Sequence, residues 1–227
     1  MNPRFAEAWW NRGRAYLGKE KYDLALGDFT KALEINPEYA EAMNDRGSVY
    51  QMRGEYDLAI ADFTKALQMN PNMANPYCNR GFAYAARGEF ERAISDFTRS
   101  LRIDPTNAKT YYLRGTVYAQ TQKYDNAIAD FTEAIKLNPE FGDALFNRGT
   151  MFAEKGDFER AISDYDETIK INPRDAESYF NKAKACESAG RSAEAIAAYK
   201  AYIEHADAGN RYNIDWARER IRWLEGR

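Results

Sequence analysis

The sequence contains one histidine, His205, and two cysteines, Cys78 and Cys186, among 227 residues. A single imidazole excludes metal sites built from several histidines and most His-based catalytic triads. Two thiols are too few for a disulfide framework, which favours a reducing compartment. No uncharged apolar run approaches the roughly 20 residues of a membrane-spanning helix, and the opening MNPRFAEAWW lacks the basic-then-apolar pattern of a secretory signal. Those absences point to the cytoplasm and to no membrane insertion. Excess positive charge is also missing: 32 Lys and Arg face 35 Asp and Glu, a net charge of −3. Binding of nucleic acid through phosphate neutralisation needs the opposite balance. There is no G-x-S-x-G, no H-E-x-x-H, no P-loop motif and no Cys/His metal spacing. The reading is of a non-catalytic chain with no cofactor, no metal and no nucleic-acid partner.

What the sequence does have is repetition. The phrase AEAWWNRGRAY from Ala6 to Tyr16 returns as AEAMNDRGSVY from Ala40, ANPYCNRGFAY from Ala74 and AKTYYLRGTVY from Ala108. It returns again as GDALFNRGTMF from Gly142 and AESYFNKAKAC from Ala176. Six units of 34 residues result, over 6–39, 40–73, 74–107, 108–141, 142–175 and 176–209, without insertion or deletion. Each reads as two helices. In the first, Trp9, Gly13 and Tyr16 share a face, and Gly13, Gly47, Gly81, Gly115 and Gly149 recur where a neighbouring helix must come close. In the second, Ala25, Phe29 and Ala32 share a face, and Pro37, Pro71, Pro105, Pro139 and Pro173 end the helix in step. Gly54, Gly88, Gly156 and Gly190 mark the turn inside four units. Two short helices cannot bury their apolar faces alone, so the units must stack into one continuous core.

With small Ala25, Ala59, Ala93, Ala127, Ala161 and Ala195 and aromatic Phe29, Phe63, Phe97, Phe131, Tyr165 and Tyr199 in register, the pattern resembles the tetratricopeptide repeat (TPR). The resemblance implies an all-α, right-handed superhelical solenoid of antiparallel helix pairs, with a concave face lined by the first helix of each pair. The sixth unit departs from it: Cys186, Ser192 and Tyr202 replace an aromatic, an aromatic and a small residue, and Asp207 replaces the proline. That unit is read as the last. Residues 210–227 are read as a capping helix from about Trp216 to Glu225, capped by Asp215, with Ala217, Ile221 and Leu224 as its apolar stripe. At the other end, Asn2-Pro3-Arg4-Phe5 has the phase of Asn36-Pro37-Glu38-Tyr39. Residues 1–5 are accordingly read as the tail of a preceding repeat in a fragment of a longer array, or as an abrupt start. In the second case Phe5 and Trp9 would be partly exposed and invite self-association through the N-terminal edge.

Arg12, Arg46, Arg80, Arg114 and Arg148 keep step with Asp28, Asp62, Asp96, Asp130 and Asp164. In the sixth unit the arginine becomes Lys182 and the aspartate Ala198. Partners that change together suit scaffold ion pairs, because lysine cannot reproduce a bidentate guanidinium fork. Asn11, Asn79, Asn147 and Asn181 share another position, interrupted by Asp45 and Leu113. The TPR resemblance places them on the concave face, where family members hold extended peptides with such asparagines. A carboxamide can satisfy a peptide N–H and C=O together; bonds to neighbouring helices are the equal alternative. Trp10, Asn44, Cys78, Tyr112, Phe146 and Phe180 stand one residue after the core position, and Phe82 a turn further on. A second aromatic row beside the core is what a groove with apolar pockets needs.

The candidate binding residues are therefore Trp10, Asn11, Asn79, Phe82, Tyr112, Phe146, Asn147, Phe180 and Asn181, with Tyr112, Phe146 and Phe180 as the main run. Cys78 is expected to face the groove, Cys186 the core and His205 the solvent. A clamp for a carboxylate terminus, known in the family, is disfavoured because its basic members are mostly missing and Asp45 would repel the anion. Three functions follow: a scaffold for a segment of a partner protein, a self-assembling module, or the targeting arm of a larger enzyme or signalling protein.

Overall fold

The computed structural model describes residues 3–226. Thirteen α-helices are found among them, and no strand. The chain divides into two compact units, residues 1–117 and 118–227. The first unit contains α1 (Pro3–Leu17), α2 (Tyr22–Ile35), α3 (Ala40–Met52), α4 (Tyr56–Met69), α5 (Ala74–Ala86), α6 (Phe90–Ile103) and most of α7 (Ala108–Gln120). The second contains α8 (Tyr124–Leu137), α9 (Gly142–Glu154), α10 (Phe158–Ile171), α11 (Ala176–Ser188), α12 (Ser192–His205) and α13 (Arg211–Glu225), with a 3-10 turn at Ala208–Asn210.

The 34-residue step is visible in the helix starts, and its punctuation has a local cause at each position. Second helices stop at Ile35, Met69, Ile103, Leu137 and Ile171, and the next residue is extended, as the residue before a proline must be. That residue is Asn or Asp, and its side chain closes the turn: Asn36 Oδ1 accepts from the Glu38 N–H at 3.2 Å, and Asp104 Oδ1 from the Thr106 N–H at 3.0 Å. Within each pair the turn needs a left-handed residue. Gly54, Gly88, Gly156 and Gly190 supply it with φ between 75° and 78°, and Glu20 and Gln122 take it at φ 57°.

The core repeats as well. Ala25, Phe29 and Ala32 of α2 have no exposed surface, and neither have Ala59, Phe63 and Ala66 of α4. A Cβ on Gly13 would stand 2.7 Å from Phe29 Cε1, and one on Gly47 2.8 Å from Phe63 Cε1. The first-helix glycines are thus the seats of the second-helix aromatics. In the sixth unit Ala183 occupies this seat, buried, with Tyr199 also buried.

Two ends differ from the sequence expectation. Helix α1 already begins at Pro3, so Pro3 to Phe5 continue a helix where the phase predicts the turn seen at Asn36–Tyr39. Proline is well accommodated in a first helical turn. Met1 and Asn2, the rest of the 1–5 segment, lie outside the described residues. Helix α13 starts at Arg211 and not at Trp216, with Asn210 before it, so Asp215 lies inside the helix and caps nothing. Packing sets this start: Ile214 joins Ala217, Ile221 and Leu224 against the core of the second unit, extending the apolar stripe back by one turn.

Candidate partner-binding surface

The arginine rows have a definite geometry. Arg80 Nε and Nη2 donate to the two oxygens of Asp96 at 2.7 and 2.9 Å, a bidentate fork inside one helix pair. Arg12 with Asp28, Arg46 with Asp62 and Arg148 with Asp164 repeat it. The remaining nitrogen reaches back to the preceding pair: Arg80 Nη1 to Thr64 Oγ1 at 2.9 Å, Arg114 Nη1 to Thr98 Oγ1 at 2.9 Å and Arg148 Nη1 to Thr132 Oγ1 at 3.1 Å. The Arg80 and Arg148 guanidinium groups thus tie their own hairpins and fasten them to the ones before. Arg114 and Asp130 belong to different units; Asp130 is buried. In the sixth unit Lys182 Nζ instead donates to Asp166 Oδ1 at 2.6 Å, on the preceding pair.

In the first unit much of the candidate row is already engaged. Trp10 donates through its indole N–H to Asp45 Oδ2 at 2.8 Å and packs on Tyr39 at 5.4 Å. Asp45 also accepts from Asn44 Nδ2 at 3.0 Å. Burial raises the Asp45 carboxyl above its ordinary pKa, with the Trp10 and Asn44 bonds opposing. Asn79 Nδ2 donates to Asn44 Oδ1 at 3.2 Å and Ser48 Oγ at 3.3 Å, so this carboxamide bonds to the neighbouring first helix. Asn11 is exposed, Phe82 is 37% exposed and Tyr112 is half-buried. Cys78 is buried in the core with Ala93, Phe97 and Val117, accepting from Thr110 Oγ1 at 3.2 Å. This corrects its assignment to the groove: at its place in the row, as at buried Asn44, the side chain fills hairpin-to-hairpin packing.

In the second unit members of the row border cavities. Phe146 on α9 packs half-buried on Tyr165, centroids 5.7 Å apart, and Asn147 beside it is half-buried. Phe146 lines a cavity of about 480 Å³ with Glu140, Asp143, Thr168, Asp175 and Glu177. Phe180 on α11 packs on Tyr202 at 4.9 Å, Trp216 at 5.6 Å and Tyr199 at 6.2 Å. It lines a second cavity of about 520 Å³ with Asp175, Glu177, Asn181, Tyr202 and Asp207. The two cavities are one repeat apart: Phe146, Thr168 and Asp143 in the first answer to Phe180, Tyr202 and Glu177 in the second, each 34 positions on. Asn181 also borders a third cavity, of about 250 Å³, with Thr150, Tyr165 and Lys184.

Tyr202, Glu177 and Asp207 were missed as site residues, although Tyr202 stands out in the sequence as a large residue at a small position. His205 is not fully solvated; it is half-buried and stacks on Tyr179 at 5.4 Å. Cys186 is buried, as the sequence implies, and burial raises the pKa of both thiols. Among the described residues no group of three or more His, Cys, Asp and Glu is placed to hold a metal ion, and no helix is long and apolar enough to cross a membrane.

Antiparallel helix pairs at a 34-residue step, with cavities recurring on their first helices, define a helical-repeat protein. The chain belongs to the tetratricopeptide repeat family: family profiles match residues 1–40, 11–74, 112–174 and 152–211, and a second tetratricopeptide profile matches 74–107. Solved structures agree in fold. MamA is 28% identical, with 74% of this chain and 92% of that chain covered and a TM-score of 0.70. YrrB, described as a TPR protein with an unusual peptide-binding site, is 23% identical over 84% of this chain and 97% of that one, with a TM-score of 0.74. PilF of Pseudomonas aeruginosa is 21% identical over 86% and 89%, with a TM-score of 0.76. A comparison with curated proteins gives no match.

Proposed function

We propose that this chain is a non-catalytic protein-interaction scaffold that holds a segment of a partner protein against the first helices of its repeats. The observation that carries this reading is the pair of repeat-related cavities floored by half-buried Phe146 and Phe180, the first lined also by Asn172 and the second by Asn181. An aromatic floor with amides beside it offers both apolar contact area and backbone hydrogen bonding. YrrB, with the same fold, has a peptide-binding site by its description, which agrees with this use of the fold. A fold hosts many functions, so the cavities and not the fold carry the argument.

The test is a pull-down from a lysate of the source organism beside a Phe146→Ala/Asn147→Ala/Phe180→Ala variant checked for folding by circular dichroism. A partner kept by the parent and lost by the variant supports the reading. A partner held equally by both places binding elsewhere on the chain. The second reading, self-association through the N-terminal edge, rests on Phe5, which is 62% exposed on α1. It requires a mass that grows with concentration and a loss of that growth in Phe5→Ser. The third reading, a targeting arm of a larger enzyme or signalling protein, requires a coding sequence that extends upstream of Met1.

A further inference from the structure

We propose that the cavity at Phe180, between the sixth helix pair and α13, takes a basic side chain of the partner segment, arginine above all. This rests on the scaffold reading and adds the partner's chemistry to it.

The first reason is charge. Asp175, Glu177 and Asp207 line the cavity, no Lys or Arg does, and none of the three carboxylates makes an ion pair among the described residues. Elsewhere on this charge-balanced chain acidic groups find lysines and arginines readily, as Glu187 does with Arg220 and Glu225 with Lys200. The equivalent cavity one repeat earlier has the same character, with Glu140, Asp143, Asp175 and Glu177 around Phe146 and no basic residue.

The second reason is independent of charge. Tyr202 is 3% exposed and lines this cavity, and its hydroxyl has no hydrogen-bond partner. Burial raises the phenol's pKa, and the Asn213 carboxamide on the same wall opposes that rise. A buried hydroxyl without a partner is destabilising, and folding alone gives no reason for it. The other five repeats carry Ala32, Ala66, Ser100, Ala134 and Thr168 here, all small, and Thr168 Oγ1 is satisfied by the Asp164 carbonyl at 2.9 Å. Asn181, likewise, makes no protein hydrogen bond among the described residues and opens on the cavity.

Carboxylates, a phenol oxygen and a carboxamide oxygen all accept, which suits a donor-only cation; a guanidinium brings five donors in one plane, where an ammonium brings three on a single point charge. The plane has a surface to lie on: Phe180, whose ring already has the Lys184 ammonium 5.8 Å from its centroid. Repetition of the cavity at Phe146 suits a segment with two basic side chains, each engagement raising the effective concentration of the other.

The test uses the full chain and end-blocked, fluorescein-labelled glycine–serine–leucine dodecapeptides carrying three arginines, three lysines, three glutamines or three glutamates. Fluorescence anisotropy should show the arginine peptide binding at least ten-fold more tightly than the glutamine one, with affinity falling as salt rises. Glu177→Gln/Asp207→Asn should weaken it at least five-fold. Tyr202→Phe should weaken it about three-fold and leave the melting temperature equal or higher, since a hydroxyl kept for folding would lower it when removed. Equal binding of arginine and glutamine peptides overturns the proposal, as does indifference to Glu177→Gln/Asp207→Asn. If the glutamine peptide binds as well and Phe146→Ala/Asn147→Ala/Phe180→Ala abolishes it, the scaffold reading stands and only the basic-side-chain assignment falls.

Discussion

Lys182 bonds to Asp166, the carboxylate that stands where the four preceding repeats carry Thr30, Thr64, Thr98 and Thr132, 16 residues before the cation. Arg148 bonds to Asp164, 16 residues after it, and reaches Thr132 at the Asp166 position with its spare nitrogen. In the sixth unit the carboxylate has moved from the cation's own hairpin to the preceding one. Three coordinated changes, Arg to Lys, Asp to Ala at 198 and Thr to Asp at 166, keep the fastening between hairpins and give up the fork within one.

Restoring the fork should therefore need two changes. Ala198→Asp alone buries an unpaired carboxylate and is expected to lose about 2 kcal/mol. With Lys182→Arg added, the double variant should recover that loss and show a favourable coupling of about 1–2 kcal/mol in a double-mutant cycle. In the opposite sense, Arg80→Ala should cost about 3 kcal/mol by leaving Asp96, 5% exposed, without its partner. Urea midpoints of all the variants decide both points.

At the glycine seats, alanine is expected to be the worse residue at position 47 and the better one at position 183, so both exchanges lose stability. Gly47→Ala pushes a methyl against Phe63 and should destabilise by about 1–2 kcal/mol despite alanine's better helix propensity. Ala183→Gly removes a methyl already accommodated and should lose about 1 kcal/mol of propensity without relieving any clash. A stabilised Gly47→Ala protein would contradict the packing described for Phe63.

The two non-glycine turns carry backbone strain. Glu20→Gly and Gln122→Gly relieve a left-handed φ of 57° and should each raise stability by about 0.5–1 kcal/mol, after the added freedom of the unfolded chain is deducted. Gly88→Ala, at φ 75°, should lose a similar amount. Thermal melts of the three proteins side by side test this.

Alkaline titration should reveal Tyr199. Burial first, then the neighbouring Glu187 carboxylate, raises its phenol well above the ordinary value of 10. A folded-state pKa above the unfolded one contributes stability that is fully present below pH 10 and is lost as pH rises further. Tyr199→Phe should therefore flatten the alkaline limb of the stability curve, at some loss near neutrality from the broken bond to Glu187 Oε2, 3.1 Å long. An unchanged alkaline limb would mean that Tyr199 ionises freely.

Periodicity alone determined a great deal here. The 34-residue step places the helices, Pro37 and its equivalents end them, and Phe29 and Ala25 with their repeats form the core, because helix spacing and apolar burial are local or next-neighbour properties in a stacked array. The co-variation of Lys182 with Ala198 was also legible in the sequence, although the transfer of the carboxylate to Asp166 was not. The tertiary structure decided which members of one repeat position open on a cavity. Asn79 and Asn181 occupy the same place in the repeat, yet Asn79 bonds to Asn44 and Ser48 while Asn181 opens on the space beside Phe180. Trp10 and Phe146 likewise share a position, and only Trp10 has an Asp45 to bind it. The difference lies in what the adjacent helix pair, before or after, presents, a non-local pairing that the period of a single helix does not encode.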